Sequence, residues 1–541
     1  MECMHSAGIY LTLNMWGDIM KRFNVTGLCV PETDYMVDLS GKINQIRELI
    51  DDGSYFTINR ARQYGKTTLL LALRRALQND YIVASISFEG MGSDSFSSEE
   101  TFCMTFVRYL TNAFNNVSAP ENLLAEWQSG EVSGFEKLSD HITKACRNHK
   151  IILMIDEVDK TSNNNVFLHF LSMLRSKFLA RKSGDDCTFH NVILAGVYDI
   201  KNIKLKMIQE GSYTPGPAEG AVYNSPWNIA ADFKVDMSFC PEEIAGMLME
   251  YECDHQSGMN IPAVSAEIYA YTTGYPFLVS RICRCIDMDL HADWTPGGVQ
   301  SAVKIIVEET NTLFDDLIKN IENNPGLYDM IYELLILGAV RPYTVHDPLV
   351  GLGFRYGFFK KVNGTGIAMS NRIFELVVTS YLVSKSSHSK KGIDGVLQYD
   401  VVRDGVFDME LCLRKFAEHY RELFTDRDVA FLESNGRMLF LSYLKPLLNG
   451  RGFYHIESQF TDLRRMDLVV DFGRQQFIIE LKIWRGEKYQ TEAHEQLCAY
   501  LDSKNKAEGY LLTFDFRKNK ETASRAEWLE VNGKRIFSVI I

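Results

Sequence analysis

The chain has 541 residues, 46% of them hydrophobic and 23% charged, with a formal net charge of −13; this length predicts three or four domains, and the composition excludes fibrous and low-complexity classes. The acidic balance argues against a protein coated with nucleic acid but leaves room for a local basic groove, because charge distribution sets the field at a site. Eleven cysteines without a C-x-x-C pair, no apolar stretch long enough to span a bilayer, and Glu2 where a signal peptide carries basic residues predict a cytoplasmic chain with reduced thiols and no membrane partner.

In chain order, the first chemical signature is INRARQYGKTTLLLALRRALQ (58–78). A short strand over 55–59 leads into a loop, and residues 66–78 follow as a helix with Leu69, Leu70, Leu73 and Leu77 on one face. Strand, loop and helix are the setting of a phosphate-binding loop. Gly65 lets the backbone approach phosphates, helix-terminal N–H groups face the anion, Lys66 reaches the outer phosphates and Thr67 holds Mg²⁺. Arg62 and Thr68 complete the set expected to contact ATP. The pattern departs from G-x-x-x-x-G-K-[ST] at its first position, where Arg60 replaces glycine; Arg60 and Arg62 are expected to add cationic contacts to phosphate. A Gly-Lys-Thr helix start can also lack a ligand, so a second motif has to decide.

That motif is KIILMIDEVDK (150–160). A continuous apolar run predicts a strand buried on both faces of a parallel sheet, and its C-terminal end is where open α/β sheets bind ligands. Asp156 is expected to orient the Mg²⁺ of the nucleotide and Glu157 to polarise the attacking water. Runs at 81–88, 191–197 and 233–239 supply three more strands, giving five in a doubly wound parallel sheet. Tyr198 and Asp199 follow the fourth strand, where a residue sensing the γ-phosphate would stand.

Residues 1–240 are therefore read as the P-loop core and 241–302 as a helical lid, broken at Gly274-Tyr275-Pro276. Arg281 and Arg284 of the lid are read as solvated rather than as nucleotide contacts. Residues 303–383 predict a winged-helix-like module, with a turn at Asn363-Gly364 and Asn371 capping the last helix. It lacks a basic recognition helix, which favours a spacer role. SKSSHSKKG (384–392) opens a polar linker spanning 384–395.

The last domain, 396–541, holds RRMDLVVDFGRQQFIIELKIWRG (464–486). A two-residue turn at Gly473-Arg474 sets Phe472 opposite Gln475. The same register sets Asp467 opposite Glu480 and Arg465 opposite Lys482, with facing Cβ atoms about 5 Å apart. Glu480 and Lys482 share a face because strand side chains alternate. Two close carboxylates call for a cation, and Mg²⁺ suits oxygen ligands; a metal-bound water beside Lys482 would attack a phosphodiester. A structural salt-bridge cluster is the competing account. Glu433 lies on an amphipathic helix before the hairpin, and Gln496 and Tyr500 share one face of a helix after it. Arg464, Arg465, Lys482, Arg485 and Lys488 form a cationic surface suited to a phosphate backbone, and Trp484 is read as a packed indole.

On YFTINRARQYGKTT, IILMIDEVDK and SPWNIAADF (225–233), the chain resembles bacterial AAA-ATPase-like proteins fused to a C-terminal PD-(D/E)XK nuclease-like domain. The resemblance runs from about Gly27 onward, and arginine-rich loops ending in Gly-Lys-Thr recur in that family. It implies a P-loop sheet with lid and winged-helix-like module, followed by a mixed α/β nuclease-type domain. It also implies an active site of Asp467, Glu480, Lys482 and a Gln496-x-x-x-Tyr500 helix, with Glu433 as the acid of the first helix; Met466 stands where the family has proline. The expectation is an ATP-binding, slowly hydrolysing regulator coupled to a Mg²⁺-dependent nuclease, acting on DNA rather than RNA, with homo-oligomerisation left open. The alternative is an ATP-dependent signalling or scaffold switch whose nuclease-like domain only binds.

Overall fold

The computed structural model describes all residues except 1–19, 129–131, 162–164, 198–226, 337–338, 340, 345, 389–400, 404, 424–428, 449–451, 457–467 and 516–524. Its first half is built on β1 (Phe56–Asn59), β2 (Ile82–Ser87), β3 (Ile151–Asp156) and β4 (Asn191–Gly196), in the order β1-β4-β3-β2. Every pairing in this sheet is parallel. The unbroken apolar run of β3 has a simple cause. Ile151, Leu153 and Ile155 pack into an aromatic-rich core with Phe102, Phe106 and Phe170, while Ile152 and Met154 point the other way, onto Leu69, Leu70 and Leu73. Helix Lys66–Leu77 thus covers one face by the leucines that the sequence pattern assigned to it.

The fifth strand expected at 233–239 is not one. Among the described residues of this segment, only Ala231 bridges β1, through Phe56. Val235 and Met237 are buried beside β1, but the Arg60 guanidinium takes the Val235 carbonyl (2.8 Å), an acceptor that a ladder would need.

Four helices follow: Pro241–His255, Ile261–Thr272, Pro276–Met288 and Pro296–Glu308. The break between the second and third turns on Gly274. Its φ is +71°, and a Cβ there would lie 1.9 Å from the Phe239 carbonyl oxygen, so only glycine fits. The next module packs helices Thr312–Glu322, Pro325–Leu335 and Pro348–Arg355 with an antiparallel sheet of β5 (Arg341–Pro342), β6 (Phe359–Val362) and β7 (Gly366–Met369), ordered β5-β7-β6. Asn363 and Gly364 turn the β6–β7 hairpin with positive φ, and the Asn371 side chain accepts from the Phe374 N–H at 2.8 Å.

The helix so capped, Arg372–His388, runs through the first residues assigned to a linker. Leu382 and Val383 bury in the core, and Lys445 Nζ donates to the Ser380 carbonyl at 3.0 Å, so packing carries the helix past the polar boundary. The remainder of that linker lies outside the described residues.

After β8 (Val402–Arg403) and β9 (Val406–Phe407), the last domain sets helices Met409–Leu423 and Val429–Leu448 before a six-stranded mixed sheet. Its strands are β10 (Gly452–Ile456), β11 (Leu468–Phe472), β12 (Gln475–Ile483), β13 (Glu508–Phe514), β14 (Ala526–Val531) and β15 (Lys534–Ile540), ordered β10-β11-β12-β13-β15-β14. Helix Glu487–Ser503 buries Ala493, Leu497 and Leu501 against Val469, Ile478 and Leu511 of the sheet. The opposite sheet face joins the lid and middle modules in one continuous apolar cluster. The β11–β12 turn has the register read from the sequence, Phe472 opposite Gln475, and holds it to Leu468 opposite Ile479.

Candidate functional site

Two clusters gather the residues singled out by sequence. The first surrounds the loop between β1 and helix Lys66–Leu77. Arg60 takes an ordinary backbone conformation; the left-handed positions fall instead on Gln63 (φ 55°) and Gly65 (φ 76°). The missing glycine is therefore no obstacle to the turn. Lys66 is only 7% exposed, and its ammonium donates to the carbonyls of Arg60 and Ala61, both at 3.1 Å. Burial lowers its pKa, while the carboxylates of Asp159, Glu157 and Asp156 raise it. Thr67 Oγ1 donates to Asp156 Oδ2 at 2.6 Å, across from helix to strand end. These two oxygens are the hard donors that a nucleotide-bound Mg²⁺ takes.

Glu157 follows in the left-handed region (φ 54°). Burial raises its carboxyl above the usual range, partly offset by Lys66. Asp159, quoted within the same motif but given no role from sequence, ties the strand ends together. Its carboxylate accepts from the Val197 N–H beyond β4 and lies against Gly196, where a Cβ would come within 2.6 Å of Asp159 Oδ1. Tyr198 and Asp199 lie outside the described residues.

The Arg60 side chain is already engaged. Its guanidinium is held by the carbonyls of Asn59 (2.9 Å) and Val235 (2.8 Å) and lies over the Phe233 ring. Arg62 remains largely exposed, 3.9 Å from Asp316. Thr68 Oγ1 accepts from the Cys29 N–H at 3.3 Å, which draws the segment before the sheet onto the loop. Beside that contact a cavity opens, lined by Asn24, Tyr35, Val37, Gly65, Thr68 and Pro276, among others. Sequence reading missed this cavity; its walls come from segments far apart in the chain, and no local pattern marks them.

The lid arginines are neither solvated nor turned to the loop. Arg281 pairs with Glu309 (Nε to Oε2 3.1 Å), and Arg284 donates to the Phe23 carbonyl at 3.3 Å.

The second cluster lies on β12. Glu480 is 3% exposed. One carboxylate oxygen pairs with Lys482; the other, Oε2, is buried with no hydrogen-bond partner among the described residues. Burial raises the Glu480 pKa, against the lowering effect of Lys482 and Arg437. Lys482 Nζ also donates to Gln496 Oε1 at 3.1 Å, so strand and helix meet through the amine. A buried carboxylate oxygen left bare is the acceptor a divalent cation would take. Asp467 lies outside the described residues, as does the side chain of Glu433, whose backbone belongs to helix Val429–Leu448. Among the described residues, no three His, Cys, Asp or Glu side chains are grouped to hold a metal, and no helix is long and apolar enough to cross a membrane.

Comparison with known proteins gives one family match and partial likenesses to a relative and to solved structures. An uncharacterized WD repeat-containing protein of Synechocystis is 22% identical over 362 residues, a match covering 62% of this chain but 28% of that relative's length. Among solved structures, the Walker-type ATPase PABY2304 of Pyrococcus abyssi is similar at a TM-score of 0.44 and 12% identity, covering 66% of this chain and 99% of its own. Cdc6p from Pyrobaculum aerophilum gives a TM-score of 0.30 at 15% identity over 64% and 94%. The Aeropyrum pernix ORC2 protein gives 0.31 at 13% over 64% and 95%. These shape likenesses are too low to carry the assignment, which rests on family and site. Residues 33–288 match the family described as AAA-like domain, and with Lys66, Thr67 and Asp156 disposed as above, this half of the chain is an ATP-binding, P-loop ATPase-like domain.

Proposed function

We propose that the chain is an ATP-controlled, Mg²⁺-dependent nuclease, its ATPase core, lid and winged-helix-like spacer (1–383) regulating a phosphodiester-cleaving domain (396–541), with DNA favoured over RNA. The observation that carries this reading is Lys482 held between Glu480 and Gln496, beside a buried carboxylate oxygen that has no partner. Asp467 and Glu480 would hold the ion, with Glu433 as a further acid; when bound, it supplies charge neutralisation and an acidified water. Lys482 donates hydrogen bonds toward the attacking oxygen, and Gln496 fixes where that amine points. In the first half, Lys66, Arg62, Gly65 and Thr68 would bind the nucleotide, Thr67 and Asp156 its Mg²⁺, and Glu157 would orient the hydrolytic water.

Regulation is supported by what touches the phosphate loop. The Tyr275 hydroxyl donates to the Arg62 carbonyl, Gln63 Nε2 donates to Thr312 Oγ1 at 3.2 Å, and a Cβ on Gly357 would lie 2.8 Å from that of Ala61. Lid and middle module therefore grip the loop that a nucleotide would reshape. The same middle module reaches the last domain, where Arg437 donates to the Ile336 carbonyl at 2.9 Å. A nucleotide with different affinity for two arrangements of this stack would change access to Glu480.

The test is cleavage of supercoiled plasmid and single-stranded RNA with Mg²⁺ by the wild type, Asp467→Ala and Lys482→Ala. Loss of cutting in both variants supports the reading. Equal cutting by all three proteins would retire it, and binding without cutting would favour the scaffold switch.

A further inference from the structure

A second cavity opens beside Lys482, lined by Ile483, Arg485, Tyr489, Gln490, Glu492 and Gln496 as well. Its mouth carries an unusual ring. Tyr489 is 56% exposed, and among the described residues the other strongly exposed large apolar side chains are all aliphatic or thioether. No hydrogen bond or ring contact engages the Tyr489 side chain among the described residues, nor does any ion pair hold the exposed guanidinium of Arg485. Lys482 and Gln496, by contrast, are already partnered. The neighbouring indole, Trp484, read from sequence as packed, has its nitrogen buried. Exposing a phenol ring to water has no stabilising role in the fold. Between a cationic group and a polar cavity, its flat face suits a nucleobase, with the guanidinium taking the adjoining phosphate. The carboxylate of Glu492, one helical turn on, discourages a second phosphate on that side.

We propose that this cavity is a subsite for one unpaired nucleotide next to the scissile bond, with Tyr489 stacking on its base and Arg485 holding its phosphate, so that the domain prefers single-stranded nucleic acid. Bases inside a duplex have both faces covered, and only a base out of the stack can meet the ring. The position relative to the cut rests on the nuclease reading; the binding preference does not.

The test uses the full chain in EDTA, so that nothing is cut, with short fluorescent oligonucleotides of one sequence as single strand and as duplex. Wild type binds the single strand more tightly. Tyr489→Ala weakens that binding about 5- to 100-fold and leaves duplex binding within about twofold. Tyr489→Phe, which keeps the ring, binds like wild type, and Arg485→Gln weakens both forms. Unchanged single-strand binding in Tyr489→Ala, or a Phe variant as weak as the Ala variant, overturns the proposal. Because the ring is exposed, the melting temperature of Tyr489→Ala should match wild type. Adding Mg²⁺ separates the two readings. If the binding pattern holds and nothing is cut, the subsite stands and the nuclease reading falls; if cutting occurs while Tyr489→Ala binds as wild type, the subsite alone falls.

Discussion

Lys66 opens the helix after β1 and Lys482 lies near the C-terminal end of β12, both with carboxylates close by, yet their surroundings differ in kind. The ammonium of Lys66 rests on two carbonyls of its own loop, and among the described residues no carboxylate is hydrogen-bonded to it. The ammonium of Lys482 is fixed by side chains from two elements, Glu480 and Gln496. A lysine held by backbone carbonyls can exchange them for phosphate oxygens at little cost, since both are neutral-to-anionic acceptors at similar reach. A lysine held in a side-chain cluster is positioned before any ligand arrives, which is what a group acting in a transition state requires. On the proposed reading, one region is remodelled by its ligand and the other stays put.

The sharpest way to break this contrast is at Glu480. Glu480→Gln keeps the shape and an acceptor for Lys482 but removes the negative charge, so on the proposed nuclease reading cleavage should fall about 100- to 10,000-fold with the fold retained. Plasmid nicking rates and thermal melting check both halves of that statement. Lys482→Ala is less clean. It strands a buried carboxylate and should cost about 3 kcal/mol of stability, the lower end for a broken buried pair because the amine reaches solvent.

At the other lysine, Lys66→Ala should weaken ATP binding about 10- to 100-fold, the worth of a charge-assisted contact, measured by calorimetry. Melting without nucleotide should move far less than in Lys482→Ala, because the released carbonyls of Arg60 and Ala61 can turn to water. If both alanine variants lose equal stability, the distinction between a yielding loop and a fixed cluster is wrong.

Much of this contrast was legible in the sequence, for a reason of distance along the chain. The strand–loop–helix around Gly65, the acidic pair after β3 and the β11–β12 register are set by neighbours within about ten residues, through turn chemistry and alternation. What escaped depends on partners far away. The run at 233–239 has the pattern of a strand, but Arg60 removes an acceptor it needs. The helix to His388 outlasts its polar sequence because Lys445 holds it from helix Val429–Leu448. Arg281 and Arg284 read as solvated because Glu309 and Phe23 are not visible from their own helix.

Between the two regions stands the middle module, and Gly357 tests whether it joins them. Gly357→Val puts a branched side chain at φ 79° and onto Ala61. It should destabilise the chain by about 1–3 kcal/mol through strain and overpacking. More usefully, any effect of ATP on cleavage should shrink, because the module is pushed off the loop. An ATP effect of undiminished size would show that the signal takes another route.

The smallest expected effect bears on the loop alone. Arg281 is occupied by Glu309, and nothing in its geometry turns it to the nucleotide. Arg281→Ala should therefore lower stability by about 1 kcal/mol, the scale of a partly exposed ion pair with two hydrogen bonds, while ATP affinity stays within about twofold of wild type. Loss of ATP affinity beyond that, at unchanged melting temperature, would mean the lid rotates Arg281 onto the phosphates when nucleotide binds. The loop would then be remodelled together with its lid, and the yielding region would extend well beyond Lys66.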